Sequence, residues 1–181
     1  MYRCLSITLL VSIGVYYCLI IAFNLYVAPA YDYDDSVLGT CFITDNLTHC
    51  GSCGECSTIQ DYNVYYETRN TLTGLAKECA IRDVFIGRDS AIECFDDTGL
   101  TPGCRDCWLE NVDCDRKHCF FPCLWETAFG IQQNIDENTL SKCLACDEYY
   151  CLDIFISCAG MSRRRANITT DIGRHPTEMC T

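Results

Sequence analysis

The sequence predicts a mainly α-helical protein, an N-terminal transmembrane helix followed by a small disulfide-rich helical ectodomain. Three observations predict it. Leu5 to Val27 is an apolar run without a charged side chain. Sixteen of the 18 cysteines lie beyond that run. Between those cysteines, apolar residues recur at i, i+3, i+4 and i+7, the spacing of one helix face.

The run is long enough to act as an anchor. At about 1.5 Å of rise per residue, a helix of this length reaches roughly the thickness of a bilayer's hydrocarbon core. Ala28-Pro29-Ala30 offers the small-residue pattern of a signal-peptide cleavage site, but a signal peptide's apolar region is only about 7–15 residues long. Tyr16, Tyr17 and Tyr26 also suit membrane interfaces. Residues 1–30 are therefore read as a signal-anchor that contacts membrane lipid through residues 5–27. Arg3 precedes the run and Asp32, Asp34 and Asp35 follow it, which keeps the N-terminus cytosolic and sends the rest to the lumenal, extracellular or virion-internal side.

Arg3 is the only charged side chain among the first thirty residues, leaving 12 Lys/Arg against 25 Asp/Glu beyond them, a formal charge of −13. Such a surface repels nucleic acid. In an oxidising compartment, the sixteen cysteines (Cys41, Cys50, Cys53, Cys56, Cys79, Cys94, Cys104, Cys107, Cys114, Cys119, Cys123, Cys143, Cys146, Cys151, Cys158 and Cys180) read as a disulfide framework. Their pairing stays open, since sixteen thiols allow roughly two million connectivities.

Residues 31–49 read as an acidic juxtamembrane linker, and residues 50–181 as one cysteine-rich helical domain. Cys50-Gly-Ser-Cys53-Gly-Glu-Cys56 has the spacing of a redox-active C-x-x-C, or of a zinc knuckle with Cys104 and Cys107 as second pair and His49 or His118 as spare ligands. No strand-helix alternation surrounds it and the compartment oxidises thiols, so structural disulfides are favoured.

Thr71 to Arg82 places Leu72, Leu75, Ala76, Cys79 and Ala80 on one helical face. Asp89 is placed as the cap of a second helix, closed by Gly99, and Thr101-Pro102 opens a third that bears Cys104, Cys107 and Trp108 on one face. Pro122 interrupts any helix through Cys114–Cys123. A polar loop after Gly130 leads to Asn138, read as the cap of a final helix from Leu140 to Cys158. Asp147, Glu148 and Asp153 are predicted to face solvent on that helix, and they lack the ligand spacing of a calcium loop.

Arg163-Arg164-Arg165 closes that helix with cations that oppose its dipole. The same three arginines are the candidate partner-binding patch, for another protein with an acidic surface. Asn46-Leu-Thr48 and Asn167-Ile-Thr169 are glycosylation sequons. His118 beside Cys119 lacks the third, orienting group of a nucleophile-base pair. No catalytic residue, cofactor or metal is assigned.

Taken together, CGSCGECS (50–57), TRNTLTGLAKECA (68–80), CRDCWLENVDCDRKHC (104–119), CLACDE (143–148) and CAGMSRRR (158–165) resemble an uncharacterised family of cysteine-rich single-pass membrane proteins of algae and protists and of their large DNA viruses. The likeness spans Cys50 to about Arg174 and brings no known activity. It implies that the cysteine framework and the arginine cluster belong to one domain type, and it adds a virus-particle membrane as a setting. The expected function is thus a membrane-anchored structural or interaction protein, a minor membrane or capsid-associated component of a virion. The alternative is a lumenal thiol-disulfide oxidoreductase using a C-x-x-C pair, and a third reading is a cleaved, secreted form of the same domain acting as a ligand.

Overall fold

Pro102–His118 is the helix around which the others pack, and its start follows from two residues. The Thr101 side chain accepts a hydrogen bond from the Cys104 amide, and Pro102 sits where a missing N–H costs nothing. The computed structural model describes residues 14–23, 25, 39–131, 134–136 and 139–173. Over these, the order is helix α1 (residues 14–23), hairpin β1 (Thr40–Thr44) and β2 (Leu47–Cys50), then α2 (Ile59–Glu67), α3 (Leu72–Phe85), α4 (Arg88–Asp96), α5 (Pro102–His118) and α6 (Phe120–Phe129). A two-stranded ribbon follows, β3 (Asn134–Asp136) and β4 (Thr139–Leu140), then α7 (Lys142–Tyr150) and α8 (Leu152–Ala159). The mainly helical, disulfide-rich class is as expected.

Among the described residues, no helix is long and apolar enough to cross a membrane. Residues 5–13, 24, 26 and 27 of the predicted span lie outside the described residues, as do Cys4, Asn138 and Cys180.

Several boundaries differ from expectation. The predicted linker is, from Thr40, an antiparallel hairpin in which Cys41 pairs with His49 in register and is tied to Cys53 by a disulfide; Cys41 and His49 are buried. Residues 40–49 therefore belong to the domain. Helix α2 starts from a reciprocal cap rather than an apolar stripe: Thr58 Oγ1 accepts from the Asp61 amide and donates to Asp61 Oδ2. Helix α4 is capped by Gly87, which leaves Asp89 inside the first turn, where its charge still favours the helix dipole. The last helix is capped by Ser141, whose hydroxyl accepts from Leu144, and it divides at Cys151. Pro122 lies in the first turn of α6 and the break precedes it at Cys119. A proline there removes an amide that has no intrahelical partner, whereas further in it would clash with the preceding turn.

Both breaks fall at disulfide-bonded cysteines, Cys119 and Cys151. Cys107, Cys114, Cys119 and Cys123 advance along α5 and α6 while their partners Cys158, Cys151, Cys146 and Cys143 retreat along α8 and α7. The two helix pairs thus run antiparallel, bolted at four levels. Cys56–Cys104 attaches the loop before α2 to the start of α5, and Cys79–Cys94 joins α3 to α4. Cys50 is also disulfide-bonded, and Cys18 is a free thiol.

Two apolar clusters meet at Trp108, one under α2, α5 and α8, the other between α3, α4 and α5. The indole touches Phe155 edge-on with ring centroids 4.9 Å apart, and its Nε1 donates to Tyr65 Oη at 3.2 Å. Asp61, fully buried, accepts from Thr101 N at 2.7 Å and Thr101 Oγ1 at 2.8 Å, so one carboxylate joins the caps of α2 and α5.

Candidate functional site

The glycine-and-cysteine segment 50–57 and the segment 158–165 pack directly on one another. Glu55 N donates to Cys158 O, Cys56 N to Ala159 O, and Cys50 N to Arg165 O, at 2.9–3.0 Å. A Cβ on Gly54 would lie 2.5 Å from Gly160 N and 2.6 Å from Ala159 C, so only glycine allows the two backbones to approach. Gly54→Ala should therefore cost about 1–3 kcal/mol, the scale of overpacking, read from a denaturant midpoint.

None of the C-x-x-C pairs closes on itself. Cys53 is bonded to Cys41, Cys56 to Cys104 and Cys107 to Cys158. Cys56, Cys104 and Cys107 are fully buried. A thiol-disulfide exchange centre needs an accessible pair joined within the motif, so this geometry gives the oxidoreductase reading no support, and sulfurs held in disulfides offer no thiolates to zinc. His49 instead bonds locally: its Nδ1 donates to Cys50 O at 2.7 Å and its Nε2 lies 2.8 Å from Ser57 Oγ. His118 is exposed and stacks on Tyr150. Asp115 lies close to the sulfurs of Cys119 and Cys151, but both are in disulfides and a lone carboxylate does not make a metal site.

The arginine cluster, expected as a contact patch, is drawn inward, with Arg163 half-buried. Arg163 Nη1 donates to Arg69 O and Nη2 to Thr73 Oγ1. Arg164 and Arg165 are buried; Arg164 faces Glu148 at 3.5 Å, and Arg165 Nη1 donates to Gly160 O at 3.2 Å. Guanidinium groups have donors enough to satisfy several carbonyls at once, which suits them to closing a chain segment. Glu148 and Asp147 correspondingly turn inward, and of the three acids predicted to face solvent Asp153 alone is exposed.

Two adjoining cavities form a groove over α5. The larger, about 560 Å³, runs from Tyr65 and Trp108 to Arg163 and Arg164; the smaller, about 200 Å³, lies between α3, α5, α6 and α7. Thr73, Trp108, Asn111, Leu144 and Asp147 line both. Asn111 Nδ2 donates to Asp147 Oδ1 at 2.9 Å, and Asp147 shares a hydrogen bond with Asp115 across α5 and α7. Burial, reinforced by the Asp147 charge, pushes the Asp115 carboxyl up, and burial also raises Asp147. The pair therefore retains a proton at pH values where free carboxyls have lost theirs. Burial lowers the Lys77 amine on the wall of the smaller cavity, with Glu126 partly opposing the shift.

Sequence reasoning missed this carboxyl pair, because Asp115 and Asp147 are 32 positions apart and only the disulfide ladder brings them together. It has a pH signature. A carboxyl raised on folding favours the fold fully below about pH 4, the range of an unfolded carboxyl, and the advantage is lost as pH climbs through the folded value. Asp115→Asn should flatten the fall in stability between pH 5 and 8 and stabilise the protein by about 1–3 kcal/mol at the upper end, the scale of one to two pKa units. Thermal melts across that range measure it.

Both sequons are exposed: Asn46 at the tip of the β1–β2 hairpin, and Asn167 in a left-handed turn at φ 54° on the rim of the larger cavity. Compared with known proteins, the chain matches a family of unknown function (DUF8771) over residues 88–181, from α4 through the arginine segment to the end. No curated protein and no solved structure matches it.

Proposed function

The chain belongs to that family of unknown function, and from this premise we propose that it is a membrane-held, disulfide-clamped interaction protein and not an enzyme. One observation carries the proposal: all fifteen cysteines described beyond Cys18 are in disulfides, and they tie distant segments together rather than forming a reactive pair. Such bonds persist in oxidising compartments, which supports a domain on the non-cytosolic side. The described part of α1 supports the anchor, since Val15, Tyr17, Leu19 and Ile21 are 40–61% exposed apolar side chains that the protein itself leaves uncovered. With the arginines engaged internally, the rim of the groove, including the exposed Asn167 and Thr169, is the surface offered to a protein partner. A virus-particle membrane, the setting implied by the family resemblance, is part of the same proposal.

Alkylation of the purified, unreduced protein followed by mass spectrometry should find no reactive thiol beyond Cys18; a labile pair among Cys50, Cys53, Cys56, Cys104 and Cys107 would overturn the reading in favour of redox chemistry. Protease protection in sealed microsomes, with Asn46→Gln and Asn167→Gln as glycan reporters, should place residues 40–173 in the lumen, and digestion from the cytosolic side would exclude that topology. Recovery from cellular secretory membranes alone, never from particles, would remove the virion setting.

A further inference from the structure

The end of α3 and the outer side of α6 form one apolar face. Phe85 and Ile86 are 70% and 73% exposed, and Val84, Phe120, Leu124 and Phe129 are also exposed. Single exposed apolar residues are ordinary. Four of these are contiguous: Val84 and Phe85 line the smaller cavity together with Phe120 and Leu124, so the face continues into an apolar cleft.

Two further features say what covers it. The domain is strongly acidic, yet the carboxylates lining this cleft, Asp115, Glu126 and Asp147, all lie inward and none is exposed, while Lys77 and Arg116 lie on its walls. In addition, α1 meets the same helix. The Phe23 ring stacks on Trp125 of α6 with centroids 5.0 Å apart, Trp125 continues to Phe129 at 4.5 Å, and Lys142 Nζ donates to Phe23 O at 2.6 Å while lying over the Phe23 ring. Phe23 is four residues short of the end of the apolar run. On the anchor reading this level is the outer membrane interface, where tryptophan and the amine of a lysine are favoured.

We propose that the face formed by the end of α3 and by α6 lies on the outer leaflet beside the anchor, with Phe85 and Ile86 inserted among the headgroups and upper acyl chains. This rests on the membrane-held reading above. The domain would then lie against the bilayer.

The full chain, reconstituted in phosphatidylcholine vesicles brominated high on the acyl chain, tests it. The protein contains two tryptophans, Trp108 and Trp125. In a Trp125→Phe background Trp108 remains as a partly buried internal standard, and Phe85→Trp and Phe42→Trp place reporters on the apolar face and on β1. Quenching roughly twofold or greater at position 85, with position 42 unaffected, is the expected result for an interfacial tryptophan. Equal quenching at both positions, or none at position 85, overturns the face. Flotation separates the two failures: protein that does not float with the vesicles refutes the anchor itself, whereas protein that floats with position 85 unquenched refutes only the apposition. If the apolar run folds back over α3 and α6, the protein fails to float and position 85 is unquenched, and both readings fall.

Discussion

Replacing Cys56 and Cys104 together by alanine is expected to lower stability by about 4 kcal/mol, from the entropy released when a loop of this size opens in the unfolded chain. The bond spans 48 residues, against 15 for Cys79–Cys94, and the same relation gives about 3 kcal/mol for the shorter loop. An ordinary domain's whole net stability is about 5–15 kcal/mol, so loss of one long-range bond should be visible in a urea titration and loss of several should unfold the protein. The order of effects is the sharper test. If deleting Cys79–Cys94 costs more than deleting Cys56–Cys104, loop closure does not dominate and local packing around Cys79 does.

Asp61→Ala is the second large effect. The carboxylate is fully buried and accepts from Thr58 Oγ1 at 2.6 Å, Thr101 N at 2.7 Å and Thr101 Oγ1 at 2.8 Å. Hydrogen bonds to a charged group contribute about 1.5–3 kcal/mol each, and unpaired donors left behind add their desolvation cost. A loss of about 3 kcal/mol or more is expected, with fraying at the starts of both α2 and α5 visible as faster amide exchange at Asp61 and Cys104. Asp61→Asn keeps an acceptor for the Thr101 amide, so it should cost clearly less. Equal losses for alanine and asparagine would mean that the charge, not the hydrogen-bond geometry, joins the two caps. Because Asp61 and Cys56–Cys104 reinforce the same junction, their effects should not add.

Both sites show how the chain's local signals serve a long-range fold. Thr101 is readable as a cap from sequence, standing just before a proline at the first helical position, whereas Thr58 emerges as a cap only in the structure. That one carboxylate satisfies both is a fact of three dimensions. The same holds for the motif 50–57. Its spacing alone suits redox, zinc or structural chemistry, and the oxidising compartment favours the structural one; which partner each cysteine takes depends on the packing that brings Gly54 against Gly160.

By itself the sequence determined the helical class, the oxidised framework, the opening of α5 at Thr101-Pro102, the burial of Cys79 and the exposure of the sequons. These follow from local periodicity, capping chemistry and composition, which act over one or two helical turns. It also held a clue to the pairing: from Cys107 the spacings are 7, 5 and 4 residues, and backwards from Cys158 they are 7, 5 and 3, the mirror that an antiparallel helix pair requires. Tertiary structure alone decided that Arg163, Arg164 and Arg165 turn inward, that Asp115 and Asp147 come together, and that residues 40–49 belong to the domain. A charge run or an acidic stripe has the same local pattern whether it faces water or a buried partner. Only the packing of α5 against α7 and α8 determines which partner is there.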